Sequence, residues 1–116
     1  MNGGRLTEPA FFVLTALAPE PRHGYGIIGE VAELSHGRVG LKIGSLYGVL
    51  DRLVAAGLVE PDRDEAWQGR LRRYYRITDA GRDALAAEAQ RLAANARLAA
   101  GRLGVRRPAI VDRGGS

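Results

Sequence analysis

Three groups of polar side chains stand where they could do chemistry, and that chemistry is recognition, not bond-making. Ser45 and Tyr47 open a leucine-striped segment, Tyr25 follows His23-Gly24, and Arg70, Arg72 and Arg73 crowd around Gly69. Hydroxyl and guanidinium groups at helix starts and hairpin tips suit phosphate oxygens and groove edges. Each group also has a plainer reading. Tyr25 can pack its ring and leave its hydroxyl to water. The arginines can pair across a hairpin with Glu60, Asp62, Asp64 and Glu65. On the residues alone both readings stay open.

Catalysis finds little support. His23 and His36 fall at expected helix ends without metal-ligand spacing. No nucleophile motif or phosphate-binding loop is present. We therefore expect no enzyme, no catalytic residue, no metal and no cofactor. The chain has no cysteine, which excludes disulfides and thiolate metal sites and fits a reducing cytoplasm. No apolar run is long enough to span a membrane. Arg5 followed by Ala10 to Ala18 mimics a secretion signal, but Glu8 and Pro9 interrupt its start and the run is short. A cytoplasmic location is the expectation.

The formal net charge of +4 hints at an anionic partner. Residues 1–77 nevertheless hold 10 basic and 9 acidic side chains, against 7 and 4 in residues 78–116. With the first part almost neutral, an argument for DNA must rest on where the charges sit.

The elements that must position these groups follow from periodicity. Leu46, Leu50, Leu53 and Gly57, flanked by Val49 and Val54, recur at helical spacing. Gly57 supplies the stop, and Leu58-Val59 begins something extended. A helix with polar groups at its start and a tight exit into a strand suits a recognition helix before a β-wing; an ordinary core helix is the alternative. Upstream, Thr7 is a plausible N-cap and Pro9 falls in the first turn of a helix from about Glu8 to Ala18. This helix is apolar nearly all round, so it should be buried on more than one side. In so small a chain the second side is most simply another subunit; a helix buried within its own monomer is the alternative. Pro19-Glu20-Pro21 ends it. A second helix opens at His23-Gly24-Tyr25-Gly26, with Ile27, Ile28, Val31 and Leu34 inward and free N–H groups at its start. Residues 36–40 form a turn before the third helix, from about Ile43.

Leu58 to Trp67 and Leu71 to Ile77 read as two strands about Gln68-Gly69-Arg70. Trp67 reads as stiffening for this hairpin. Thr78 or Asp79 caps a fourth helix, in which Leu85, Ala89, Leu92, Ala96, Ala99 and Leu103 repeat at alternating spacings of four and three. That seam asks for a partner helix: in a second copy, where Phe11 and Leu14 of the first helix join the seam residues at a dimer interface, in the chain's own first helix, or in both. Residues 104–116 read as a flexible basic tail.

This order of elements carries residues that resemble the PadR family of bacterial transcriptional regulators. The matching pieces are His23-Gly24-Tyr25-Gly26-Ile27, Gly44-Ser45-Leu46-Tyr47, Arg52-Leu53, Gly57-Leu58-Val59, Arg72-Arg73-Tyr74-Tyr75-Arg76-Ile77-Thr78 and Gly81. The resemblance spans roughly residues 8–100 and fits the smaller branch, which has one helix after the wing. It implies a mainly α fold with a small antiparallel β wing. A winged helix-turn-helix domain would occupy residues 1–77, a dimerisation helix 78–103 and the tail 104–116. It further implies a homodimeric repressor of double-stranded DNA, the third helix entering the major groove. Family members often take aromatic or drug-like effectors between subunits. Here only Phe11 and Phe12 stand out to line such a site.

Two positions depart from the family pattern. Gly48 stands where a proline is usual, and Val54 where an acid is common. On the helical wheel Gly44, Gly48, Asp51 and Ala55 lie opposite the leucine stripe, so that face carries almost no bulk. We expect it to approach DNA closely and read it with Lys42, Ser45, Tyr47 and Arg52, helped by Tyr25 and the wing arginines. The alternative is a winged-helix adaptor that grips a protein partner and does not bind DNA specifically.

Overall fold

Thr7 starts the ordered head: its hydroxyl oxygen accepts the Ala10 N–H at 3.2 Å, and helix α1 runs Glu8–Leu17. The computed structural model describes residues 5–104, so the expected tail lies, but for Gly104, outside the described residues. After α1 come β1 (Arg22–His23), α2 (Gly24–Leu34), α3 (Ile43–Ala55), β2 (Val59–Trp67), β3 (Arg70–Ile77) and α4 (Asp79–Leu103). The fold is mainly α, with a three-stranded antiparallel sheet in the order β1-β3-β2 and a long C-terminal helix.

Strand β1 is absent from the sequence reading. It pairs Arg22 with Tyr75 and His23 with Tyr74. Two residues carry no alternation to read, and pairing becomes visible only once β3 is in place beside them. Arg22 also donates from Nε to the Ala16 carbonyl at 2.7 Å. This satisfies one of the carbonyls left open at the end of α1.

The all-round apolar character of α1 has a different cause from the one expected. Val13, Leu14, Ala16 and Leu17 are almost wholly buried within this chain, as α1 packs on α2, α3, β3 and α4. Leu14 is therefore a core residue and has no surface to offer a second subunit, which corrects its assignment to a dimer interface. Phe11 and Phe12 remain half-buried. Ile27, Val31, Leu46, Leu50 and Val59 complete the core. Leu46→Ala should cost about 2–5 kcal/mol by leaving a cavity among close-packed neighbours, measured as a fall in the denaturant midpoint.

The turn between α2 and α3 is closed from within. Ser35 is fully buried, and its Oγ accepts the Val39 N–H at 3.0 Å. At the far end of α3, Gly57 takes a φ of +78°. The Leu58 N–H donates to the Leu53 carbonyl at 2.9 Å and the Gly57 N–H to that of Val54 at 3.0 Å. These two bonds form the glycine C-cap motif that turns the chain sharply into β2. The hairpin turn is tighter than expected: Gln68 and Gly69, both at positive φ, form a two-residue turn, and Arg70 already belongs to β3. A bulge between Pro61 and Asp64 breaks the register on the edge strand β2.

Helix α4 begins on a docked corner. Thr78 Oγ1 accepts the Gly81 N–H at 2.9 Å and donates to the Gly57 carbonyl at 2.7 Å. Of its 25 residues only Gly81 and Glu88 are buried, and the described molecule extends 64 Å along its longest axis. Most of the seam is exposed, including Leu92 at 43% and Leu103 at 77%.

Candidate nucleic-acid interface

The face of α3 opposite its buried leucines is bare. A Cβ added at Gly44 meets nothing within 4 Å, and one at Gly48 meets only Arg52 Nη1, at 3.9 Å. Arg52 thus lies back across this face. Lys42, at the N-cap position, makes no side-chain cap bond, and Ser45, Tyr47, Asp51 and Arg52 are exposed. Tyr47 leans toward the start of α2, its hydroxyl 3.2 Å from the point where a Cβ on Gly24 would sit. Tyr25, 66% exposed, stands on the same helix start. The structure therefore brings Tyr25, Lys42, Ser45, Tyr47 and Arg52 onto the adjoining surfaces of α2 and α3.

One part of that surface differs from expectation. The start of α2 does not offer all its N–H groups, because His23 Nδ1 accepts the Gly26 N–H at 3.2 Å. Histidine is outside the usual set of N-cap residues, so residue type alone does not reveal this bond.

The wing arginines separate. Side chains alternate along β3, and Leu71, Arg73 and Tyr75 line a cleft of about 480 Å³ against Tyr47 and Asp51 of α3 and Asp64 of β2. Burial raises the Tyr75 phenol above its ordinary pKa, with Tyr47 nearby adding to the shift. Arg73 pairs with Asp64 at 3.3 Å. Arg72 belongs to the other face, where its guanidinium stacks on Trp67 at 3.6 Å and Nη1 lies 3.1 Å from His23 Nε2. Arg70 is exposed at the tip, and among the described residues it has no ion pair. The three arginines therefore do not converge on one surface.

The acids of β2 are used inside the hairpin. Arg76 reaches Glu60 at 2.7 Å and Asp62 at 2.8 Å, Arg63 reaches Asp62 at 2.9 Å, and the Tyr74 hydroxyl donates to Glu65 at 2.7 Å. The Arg76 guanidinium beside Asp62 holds that carboxyl below the usual range. Exposed pairs like these stabilise weakly, but they offset the negative charge of the β2 carboxylates within the hairpin. Leu71, 75% exposed, was missed; the alternation of Leu71, Tyr75 and Ile77 along β3 was the available signal.

Far from this face, Phe11 and Phe12 meet edge-to-face at 5.6 Å. They line a recess of about 290 Å³ with Leu6, Glu8, Glu88, Arg91 and Leu92. Glu88 is buried there and held below the ordinary carboxylate pKa by Arg91, whose Nε donates to it at 3.2 Å. Of the other seam residues, Leu85 is half-buried against the core, and Ala89, Ala96 and Ala99 are exposed. Among the described residues no helix is long and apolar enough to cross a membrane.

Residues 13–87 match the Transcriptional regulator PadR-like family. A PadR family transcriptional regulator from Eggerthella lenta superposes with a TM-score of 0.70 at 24% identity, over 84% of this chain and 82% of its own. A PadR-like transcription factor from bacteroid fragilis reaches 0.62 at 29% identity, over 77% of this chain and 84% of its own. An uncharacterized 37.1 kDa protein in transposon TN4556 of Streptomyces fradiae is 40% identical over 89 residues. That match takes in 77% of this chain but only 24% of the relative's length.

Proposed function

The chain belongs to the PadR-like family of transcriptional regulators, and from that premise we propose that it works as a homodimeric, sequence-specific repressor of double-stranded DNA. The observation that carries this reading is the exposed face of α3, bare at Gly44 and Gly48 and bordered by Tyr25, Lys42, Ser45, Tyr47 and Arg52. A face without bulk lets the helix axis approach base edges that a leucine-sized side chain would keep away. Arg70 and Arg73 reach for the adjacent backbone from the wing. The head, residues 1–77, does the reading, and the helix over 78–103 holds two copies together through Leu85, Ala89, Leu92, Ala96, Ala99 and Leu103, with Phe11.

A two-fold dimer sets its α3 helices in successive major grooves about 34–36 Å apart, so the operator is a pseudo-palindrome. Occupancy excludes polymerase. An aromatic or drug-like effector bound near Phe11 and Phe12 would act on the α1–α4 contact and so shift the angle between heads. The setting is the cytoplasm.

A salt titration on mixed-sequence duplex tests the core of this reading. Affinity should fall steeply with salt, and Arg70→Ala should reduce the log–log slope by about one. A flat response points to a protein-binding adaptor. Gly48→Leu separates binding from folding. Its Cβ meets only the flexible Arg52 side chain, at 3.9 Å, and it improves helix propensity, so stability should rise by roughly 0.5–1 kcal/mol, while duplex affinity falls. Unchanged affinity in that variant removes the close-approach argument.

A further inference from the structure

His23 stands where three elements meet, and it receives more donors than an imidazole can accept. The Gly26 N–H of α2 points at Nδ1 from 3.2 Å, and Arg72 Nη1 of β3 lies 3.1 Å from Nε2. A neutral imidazole has one acceptor nitrogen and an imidazolium has none. With Nδ1 accepting from Gly26, Nε2 carries the neutral ring's proton, and Arg72 is held against the ring by packing and not by a hydrogen bond; once the ring is protonated the Gly26 bond is lost and the two cations repel. On its other side Arg72 stacks on Trp67 near the wing tip, and the Tyr74 ring meets His23 edge-on at 5.3 Å. The order along this line is α2 start, imidazole, guanidinium, indole. It joins the end of the wing to the beginning of α2.

We propose that His23 is a positioning residue: through Arg72 and Trp67 it sets the angle of the wing against α2, and it does so only while its ring is uncharged. Resting on the DNA-binding reading above, this makes the wing's grip on duplex sensitive to mild acid.

The charged and titratable groups around the ring agree on the direction. Arg72 from β3 opposes a positive imidazolium, while Tyr74, also on β3, presents a ring edge. From β2, Glu65 favours the proton, but its carboxylate is engaged by the Tyr74 hydroxyl at 2.7 Å. On β1, Arg22 turns away to the Ala16 carbonyl and to Glu20 and Glu30, the last from α2. Burial first, then Arg72, lower the His23 pKa below 6.5, with Glu65 opposing. Since the folded value lies below the unfolded one, the joint is intact above about pH 6.5 and is lost as the pH falls through the folded value.

Trp67 is the sole tryptophan, and it reports on the joint without any DNA. Its emission in the full chain should change in one step as the pH falls below about 6.5, the side to which burial and Arg72 move the His23 titration. His23→Asn tests the cause. Asparagine is a strong N-cap and keeps the Gly26 bond, but it is too short to hold Arg72. In His23→Asn the fluorescence step should vanish while the far-ultraviolet circular dichroism stays as in the wild type. Arg72→Gln should abolish the step as well, with His23 in place. On mixed-sequence duplex in low salt at about pH 7.5, His23→Asn should bind roughly five- to tenfold more weakly, and acid should weaken it no further.

A wild-type emission that ignores pH over this range, or a step that survives His23→Asn, overturns the proposal. So does a step owed to His23 that leaves duplex affinity untouched. A wild type that ignores duplex altogether, with the emission step intact, sinks the DNA-binding reading instead and leaves the joint standing.

Discussion

Gly81→Ala should destabilise the fold by roughly 3–5 kcal/mol, in the range of severe steric lesions. A Cβ at this position would sit 2.1 Å from the Leu58 carbonyl oxygen and 2.8 Å from Ile77 Cγ1. The carbonyl has little room to move. It accepts the Thr78 N–H at 3.0 Å, and the Leu58 N–H is itself tied to Leu53 at 2.9 Å. Relief requires either breaking that corner or lifting the first turn of α4 from the sheet, which also breaks the Thr78 cap. For a chain of this size each kcal/mol moves the midpoint by about 4–8 °C, so the melting temperature should drop by at least 12 °C. The proper control is Gly29→Ala, a helical glycine with nothing within 4 Å of its would-be Cβ. There the same methyl should stabilise by about 0.5–1 kcal/mol. A Gly81→Ala variant that melts with the wild type would mean that α4 is not seated on Leu58 as described.

The contrast between these glycines shows what the sequence could convey. Gly57 after a leucine stripe, Thr7 before Pro9 and Thr78 before an alanine-rich run are local signals, because caps and stops act over one turn. The α3 pattern was equally legible, since the residues opposite the stripe follow from a period of 3.6. Gly81 was visible only as part of a family motif, because the need for it lies in a carbonyl 23 positions upstream. The same holds for Arg72. Its neighbours Arg70 and Arg73 look alike in sequence, yet strand alternation and the position of β1 send Arg72 to Trp67 and His23, and Arg73 to Asp64. The second covering of α1 stays open in the sequence for a related reason. All-round hydrophobicity says that something lies on each side, not whether that partner is the same chain.

Leu92→Glu should break the proposed dimer into monomers and weaken binding to a palindromic site by about 10²–10⁴-fold, the avidity gained by linking two half-site readers. Leu14 belongs to the core and Leu85 is half spent on it. Most of the other seam positions are alanine, so the large apolar groups left for a partner along the seam are Leu92 and Leu103, with Phe11 beside them. In the proposed dimer a glutamate at position 92 puts a carboxylate into the apolar seam of each copy, where it loses its water. Leu92 is already 43% exposed in the single chain, so the head should lose little stability of its own. Sedimentation should then give one 12.4 kDa chain where the wild type, on the proposed assembly, should give two. Thermal midpoints should lose their dependence on concentration, while affinity for an isolated half-site stays near that of one wild-type head. A Leu92→Glu protein that still sediments as a dimer shows that the copies meet elsewhere than along α4, and the spacing argued for the operator then no longer follows.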